Sequence, residues 1–325
     1  DREPTTVPGG TGARADSVPL MDLCLMIEGQ EDVSWEQWRA IAAACEEHGI
    51  STLFRSDHYV GFVRGESGQV LDAWSTVTAL AATTTTLRLG TLVSPGTFRH
   101  PSVLAKMAAS ADRISGGRIE VGLGAGWNER EHLAYGLPFP NQGTRFSIHE
   151  EQLAIVRGLW GPGPFTFDGE HYQLDGIDAH PKPVQDPMPL IVGGKGRPRT
   201  VDLAVRYADE YNTVFCTPQV AAERRRAVME ACERAGRDPA TMRFSVMVAF
   251  MPAADEGELR ARTERMRAIG QEPDPDVWVM GLPDQTGARL RELADAGCDR
   301  VMLQMLLHDD VDQIALAGEL ARALS

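Results

Sequence analysis

The chain has 325 residues, of which 46 are acidic and 32 basic, so its formal net charge is -14, and 43% of it is hydrophobic. That apolar share predicts a globular protein with a large core. The negative charge argues against nucleic acid and anionic membranes as partners, because their phosphates attract basic surfaces. No apolar run approaches the roughly 18 residues of a membrane span. The five cysteines are too widely spaced for a metal knuckle, and as free thiols they favour the cytoplasm.

Residues 1–17 are rich in Pro, Gly and Thr, and we expect them to form a disordered tail before a single domain over residues 18–325. Short apolar segments then predict eight strands: Leu20 to Ile27, Thr52 to Arg55, Leu87 to Val93, Arg118 to Leu123, Leu190 to Val192, Tyr211 to Phe215, Arg243 to Phe250 and Arg300 to Met305. Amphipathic patterns between them predict helices, among them Ser34 to Gly49, Asp72 to Ala82, His149 to Leu159, Pro218 to Ala235 and Val311 to Leu324.

Strands that alternate with helices are typical of βαβ units and a parallel sheet. Eight such strands favour closure into an α/β (β/α)8 barrel, a TIM barrel, over the alternative of an open, doubly wound sheet. Three irregular stretches interrupt the pattern, at 127–147, 160–188 and 270–285. We expect the first two to be insertions, and the stretches at 127–147 and 270–285 to cover a pocket at the carboxyl ends of the strands.

The second strand ends at Asp57 and His58, the pair with the clearest acid–base potential. An imidazole titrates near neutral pH and can exchange a proton with a reacting group. A single histidine is more often structural, and its place at a strand end is what favours catalysis here. The sequence has no HExxH, GxSxG or Walker motif, so metal catalysis and acyl-enzyme chemistry have no support.

Two glycine-rich turns also follow predicted strands. The turn GLGAGW at 122–127 lacks the GxGxxG spacing, and its glycines suit either a tight turn or the close approach of a flat ring. The turn GGKGRPR at 193–199 opens a helix and carries Lys195, Arg197 and Arg199. Backbone amides, a helix N-terminus and basic side chains together favour phosphate binding, although a solvated surface turn would have the same composition.

At these positions the sequence resembles the luciferase-like monooxygenase superfamily, in particular its branch that depends on coenzyme F420, a deazaflavin. The matching segments run in order from the second strand onwards: FRSDHY (54–59), RLGTLVSPGTFRHP (88–101), SGGRIEVGLGAGWNEREHLAYGLPFP (115–140), FDGEHYQLD (167–175), PKPVQDPMPLIVGG (181–194) and AVRYADEYN (204–212). The resemblance implies the (β/α)8 fold with its insertions at the C-terminal face.

The resemblance also implies roles for particular residues. His58 is the expected proton donor or acceptor, and Asp57 is expected to lie with it against the cofactor ring. A cis peptide behind the ring is expected at Leu92-Val93, or at Val93-Ser94. The remaining cofactor contacts implied are Gly124, Ala125 and Gly126 at the ring and ribityl chain, and Gly193, Gly194, Lys195, Gly196 and Arg197 at the phosphate. Trp127 is expected to stack on cofactor or substrate.

The function implied is hydride transfer between F420 and a fairly apolar organic substrate. Relatives that oxidise glucose 6-phosphate can carry a glutamate after the fourth strand, where this chain has Ala125 and Gly126, so a sugar phosphate is not the expected substrate. The same fold serves an FMN-dependent monooxygenase that works with a separate flavin reductase, and a non-catalytic flavin-binding protein is a third alternative. The resemblance also makes a homodimer possible.

Overall fold

A computed structural model describes residues 21–63 and 68–324, so the tail predicted for 1–17 and the first predicted strand residue, Leu20, lie outside the described residues. The strands are β1 (Asp22–Ile27), β2 (Thr52–Arg55), β3 (Arg88–Pro95), β4 (Ile119–Gly124), β5 (Phe165–Asp168), β6 (Gln173–Ile177), β7 (Leu190–Gly193), β8 (Glu210–Val214), β9 (Arg243–Pro252), β10 (Val279–Gly281) and β11 (Arg300–Met305). The helices are α1 (Trp35–His48), α2 (Ala73–Thr83), α3 (Pro101–Ser115), α4 (Glu129–Ala134), α5 (Gln142–Trp160), α6 (Pro198–Tyr207), α7 (Pro218–Arg234), α8 (Glu256–Ala268), α9 (Pro283–Asp295) and α10 (Asp312–Ala323).

The sheet closes on itself. Strands β1, β2, β3, β4, β7, β8, β9 and β11 pair in that order, all of them parallel, and β11 returns to pair with β1. A closed ring of eight parallel strands is a TIM barrel, which confirms the predicted fold. The doubly wound alternative is excluded because an open sheet would have two unpaired edges.

The barrel strands are apolar runs because both of their faces are covered. Inside the barrel, Cys24, Met26, Phe54, Ile191 and Met302 pack together and are almost completely buried. The alternate residues of the same strands face outwards and pack under the helices in a much larger apolar cluster. Strands buried on two faces give continuous hydrophobic segments rather than an alternating pattern, which is why their positions are readable in the sequence.

The amino ends of the barrel strands are closed by a buried ion network. Arg300 at the start of β11 donates to Glu120 Oε2 at 2.7 Å, to Glu210 Oε2 at 3.1 Å and to Asp22 Oδ2 at 3.0 Å. These acceptors lie at or next to the starts of β4, β8 and β1. The network fills this end of the barrel with paired charges, so the carboxyl ends of the strands are left for a site.

Several helix boundaries follow from local signals. Ser34 caps α1 and forms a capping box with Gln37, and Gly49 ends the helix in the left-handed conformation at a φ of 76°. The prediction that α5 begins at His149 is wrong, because the helix begins at Gln142. Asn141 caps it through the backbone N–H of Thr144, a signal that lies ahead of the first apolar stripe.

The three stretches predicted to be irregular contain regular structure. The first, 127–147, includes α4 and the beginning of α5, and the second includes the antiparallel hairpin β5–β6. The third contains β10, which pairs with the end of β9, and the start of α9. Within the described ranges, no helix combines the length and the apolar character needed to cross a membrane.

Candidate active site

A cavity of about 1770 Å³ opens at the carboxyl ends of the barrel strands. Most of the residues predicted from the sequence line it: His58, Leu92, Val93, Gly124, Ala125, Gly126, Trp127, Gly193, Gly194, Lys195 and Arg197. Three predicted residues, Asp57, Ser94 and Gly196, are not part of its lining. The fold therefore brings the ends of four predicted strands, with the turns that follow them, to one place, as expected for a (β/α)8 barrel.

His58 is held by a carboxylate that the sequence analysis did not single out. Its Nδ1 donates to Glu131 Oε1 at 2.8 Å, and Glu131 Oε2 accepts the backbone N–H of Tyr59 at 3.1 Å. Glu131 is fully buried, whereas His58 keeps 11% of its side chain exposed at the cavity. Because Nδ1 is engaged by the carboxylate, the other ring nitrogen, Nε2, is the one available to a ligand.

The surroundings of His58 favour its charged form. Burial alone would lower the pKa of this imidazole, but the hydrogen bond and the negative charge of Glu131 outweigh it, so the pKa is raised above the ordinary 6.5. The charges of Glu28 and Asp57 act in the same direction. A carboxylate behind a histidine both fixes the tautomer and stabilises the imidazolium, so His58 can donate a proton near neutral pH.

Asp57 lies behind the site rather than in it. Its Oδ2 accepts the Ser94 hydroxyl at 2.7 Å and Arg99 Nη1 at 2.5 Å, and its Oδ1 accepts Arg99 Nη2 at 3.2 Å. Trp74 Nε1 donates to the Ser94 hydroxyl at 3.0 Å. Asp57 and Ser94 are completely buried, so their side chains support β2 and β3. They do not line the cavity, although the sequence analysis placed both at the cofactor.

The end of β3 bulges into the cavity. The Leu92-Val93 peptide is cis, at the first of the two positions expected, and the pairing with β4 shifts register between Thr91 and Ser94. The bulge explains the glycines of β4, because a Cβ at Gly122 would lie 2.2 Å from the Thr91 carbonyl oxygen and one at Gly124 would lie 2.8 Å from Val93 Cγ2. These two glycines therefore serve the bulge itself, an alternative to the predicted approach of a flat ring.

The glycines and the charged side chains of the loop after β7 have different roles. The backbone N–H of Gly194 donates to the Asn212 carbonyl at 2.9 Å, and that of Gly196 donates to the Tyr211 hydroxyl at 2.8 Å. These amides hold the loop in place and are not free for an anion. In the described part of the chain, the exposed side chains of Lys195 and Arg197 have no hydrogen-bond or ion-pair partner. The positive charge at this end of the cavity is therefore uncompensated.

Aromatic and apolar side chains form the rest of the wall. Trp127 is 65% exposed, and its ring centroid lies 5.3 Å from that of Phe62 and 5.8 Å from that of His58. Trp278 and Leu306 also line the cavity and belong to an apolar cluster formed by β9, α8 and the loop after β11. An exposed tryptophan beside an apolar wall is a surface on which an organic molecule can pack.

Glu131 is the main site residue that the sequence patterns do not reveal. It lies in α4, inside a stretch predicted to cover the pocket, four residues after Trp127. An acidic residue in a segment that covers a histidine is a weak signal, because most acidic residues of this acidic chain face solvent. The distance of 73 residues between His58 and Glu131 means that only the fold brings them together.

A closed parallel barrel with a large cavity at the carboxyl ends of its strands defines the (β/α)8-barrel enzymes. Within that class, the chain belongs to the luciferase-like monooxygenase family, whose model matches residues 21–323. It is 30% identical over 283 residues to a pyrimidine monooxygenase, RutA, of Variovorax paradoxus, across 81% of this chain and 72% of that protein.

The relatives of this chain include both F420-dependent and flavin-dependent enzymes. The chain is 28% identical over 307 residues to an F420-dependent glucose-6-phosphate dehydrogenase of Nakamurella multipartita, across 86% of this chain and 89% of that protein. An F420-dependent secondary alcohol dehydrogenase, solved with an F420–acetone adduct, superposes with a TM-score of 0.78 at 21% identity, over 94% of this chain and 99% of that one. The chain is thus an oxidoreductase or monooxygenase of the luciferase-like family.

Proposed function

We propose that the protein is an F420-dependent oxidoreductase that transfers a hydride between the deazaflavin and a fairly apolar organic substrate, with His58 handling the proton. The observation that carries the choice of F420 is the uncompensated charge of Lys195 and Arg197 at one end of the cavity. The F420 tail is an anionic oligoglutamate, which two unpaired cations would attract, whereas FMN ends at its phosphate.

The residues present fit such a cofactor. A cavity of 1770 Å³ exceeds the roughly 300–1000 Å³ of ordinary ligand pockets, so it has room for a cofactor and a substrate together. A Cβ at Gly193 would meet only Val93 Cγ1, at 3.5 Å, so this position leaves space at the cavity wall. The phosphate would bind at the N-terminus of α6, the oligoglutamate tail would lie against Lys195 and Arg197, and the ring would rest on Leu92 and Val93.

The bound deazaflavin would supply the hydride chemistry. The protein contributes the proton and the environment. His58 would hold the proton at Nε2, donating it when the substrate is reduced and accepting it when the substrate is oxidised, while Glu131 keeps the ring in place through Nδ1. Trp127 and the apolar wall around Trp278 would bind the substrate and exclude water from the reacting groups.

An FMN-dependent monooxygenase with a separate flavin reductase is the second candidate. It is favoured by the 30% identity to the pyrimidine monooxygenase RutA. The non-catalytic flavin-binding protein has less support, because such a protein needs no histidine aligned by a buried carboxylate. That residues 18–325 form one domain, that the protein works in the cytoplasm and that it forms a homodimer all remain predictions.

The test is a titration of the purified protein with oxidised F420 and, in parallel, with FMN, followed by fluorescence at low salt. We expect F420 to bind more tightly, and the double variant Lys195→Ala/Arg197→Ala to weaken F420 by at least about tenfold while changing FMN less. Arg206→Ala is the matched control, because Arg206 lies at the other end of α6 and is paired with Glu150 at 2.7 Å. Preference for FMN would move the protein to the monooxygenase alternative, and binding of neither would contradict both.

A further inference from the structure

One carboxylate in the cavity has a defined position but, in the part of the chain that the structure describes, no lysine or arginine within ion-pair distance. Glu28 follows β1 directly and lines the cavity. Gln304 Nε2 donates to its Oε1 at 2.5 Å, and Gln30 Nε2 donates to its Oε2 at 2.7 Å. In residues 21–63 and 68–324, no lysine or arginine forms an ion pair with it. Two neutral amides therefore position the carboxylate, and neither of them neutralises its charge.

The two amides are themselves fixed. Gln30 is completely buried and Gln304 is 5% exposed. The Gln30 side-chain oxygen accepts the Ser56 hydroxyl, whose oxygen in turn accepts the backbone N–H of Gly29 at 3.0 Å. A carboxylate offers about four lone-pair positions, and the amides use two of them. The remaining acceptor positions of Glu28 are available to a molecule in the cavity.

The position of Glu28 favours a contact with the substrate over a contact with the anionic part of a cofactor. The unpaired cations Lys195 and Arg197 belong to the loop after β7, whereas Glu28 follows β1 on a different part of the barrel. Glu28 and His58 line the same cavity, and the negative charge of Glu28 favours the charged form of His58.

We propose that Glu28 determines substrate specificity by accepting a hydrogen bond from an O–H or N–H group of the substrate and by repelling anionic substrates. This inference rests on the proposed function, because it assigns a substrate class to the same site. The substrate is then an apolar molecule that carries a neutral or cationic donor group, an alcohol or an amine, beside the reacting carbon. A carboxylate or phosphate at that point would lie next to the negative charge of Glu28, which the amides of Gln30 and Gln304 do not neutralise.

The experiment measures the dissociation constants of three probes with the same ring, cyclohexanol, cyclohexylammonium and cyclohexanecarboxylate, by ligand-observed NMR. The protein is loaded with whichever of F420 and FMN it binds. We expect the wild type to bind the alcohol and the ammonium at least about tenfold more tightly than the carboxylate. Glu28→Gln should reduce the preference for ammonium over carboxylate by about tenfold.

Glu272→Gln is the matched control, since Glu272 also lines the cavity but is paired with Arg267 at 2.6 Å. It removes the same charge and should leave the preference unchanged. Glu28→Asp keeps the charge and should retain most of the preference, which covers the case that the glutamine variant folds poorly. Equal binding of ammonium and carboxylate by the wild type, equal effects of Glu28→Gln and Glu272→Gln, or no binding of either donor probe up to its solubility limit would overturn the proposal. The cofactor titration reports separately on the proposed function, since Glu28→Gln should leave cofactor affinity unchanged.

Discussion

Replacing Glu131 by glutamine should lower the pKa of His58 and make the stability cost of the variant depend on pH. The carboxylate accepts the His58 Nδ1–H at 2.8 Å from a fully buried position. A glutamine of the same shape keeps one acceptor oxygen, but it loses the charge and cannot accept from both His58 and the backbone N–H of Tyr59.

The magnitude follows from the charge state of the imidazole. A hydrogen bond between charged groups contributes about 1.5–3 kcal/mol and one between neutral groups about 1 kcal/mol. Because the folded-state pKa of His58 is raised, the extra stability is fully present below the unfolded pKa of 6.5 and is lost as pH rises through the folded value. The variant should therefore lose about 2 kcal/mol of unfolding free energy at low pH, and about half of that at alkaline pH.

The assay combines urea unfolding of both proteins between about pH 5.5 and pH 9 with an NMR titration of the His58 ring, assigned by its absence in His58→Ala. Glu129→Gln is the matched control, because Glu129 lies on the same helix two residues earlier and is exposed. Titration of His58 at the same pH in the wild type and in Glu131→Gln, or a loss of stability that did not change with pH, would contradict this role of Glu131. As pH rises, the rate of substrate reduction should also begin to fall at a lower pH in the variant than in the wild type, because His58 loses its proton earlier.

Two further predictions concern the framework behind the site. Gly122→Ala places a Cβ 2.2 Å from the Thr91 carbonyl oxygen, so we expect overpacking to lower the free energy of unfolding in urea by about 2 kcal/mol or more. Cofactor binding should weaken as the β3 bulge moves. Unchanged stability would show that the close approach is absent in solution. Asp57→Asn leaves Arg99 without its buried carboxylate partner and should cost about 3 kcal/mol by the same measurement. Asp178→Asn, at an exposed ion pair, should change little, and an equal loss from both variants would contradict the structural role of Asp57.

Much of the fold is predictable from local patterns. Each barrel strand is buried on both faces and is therefore a short apolar run, so β2 and β11 were predicted to the residue. Helix ends marked by a polar cap or a glycine, such as Ser34 and Gly49, were also predicted correctly. Where the apolar pattern is weak, as in the first seven residues of α5, the prediction failed, because the start signal at Asn141 precedes any hydrophobic stripe.

The sequence by itself determined the barrel, the strand ends that meet in the cavity and the position of His58, because strand length, apolar content and chain order are local properties. The tertiary structure decided which groups act on one another. Only the closed barrel brings Glu131 to His58 and Gln304 to Glu28, pairs that lie 73 and 276 residues apart. Only the packing of β2 against β3 turns Asp57 away from the cavity and towards Ser94 and Arg99. Such pairings depend on the direction of each side chain in the folded barrel, which no local pattern encodes.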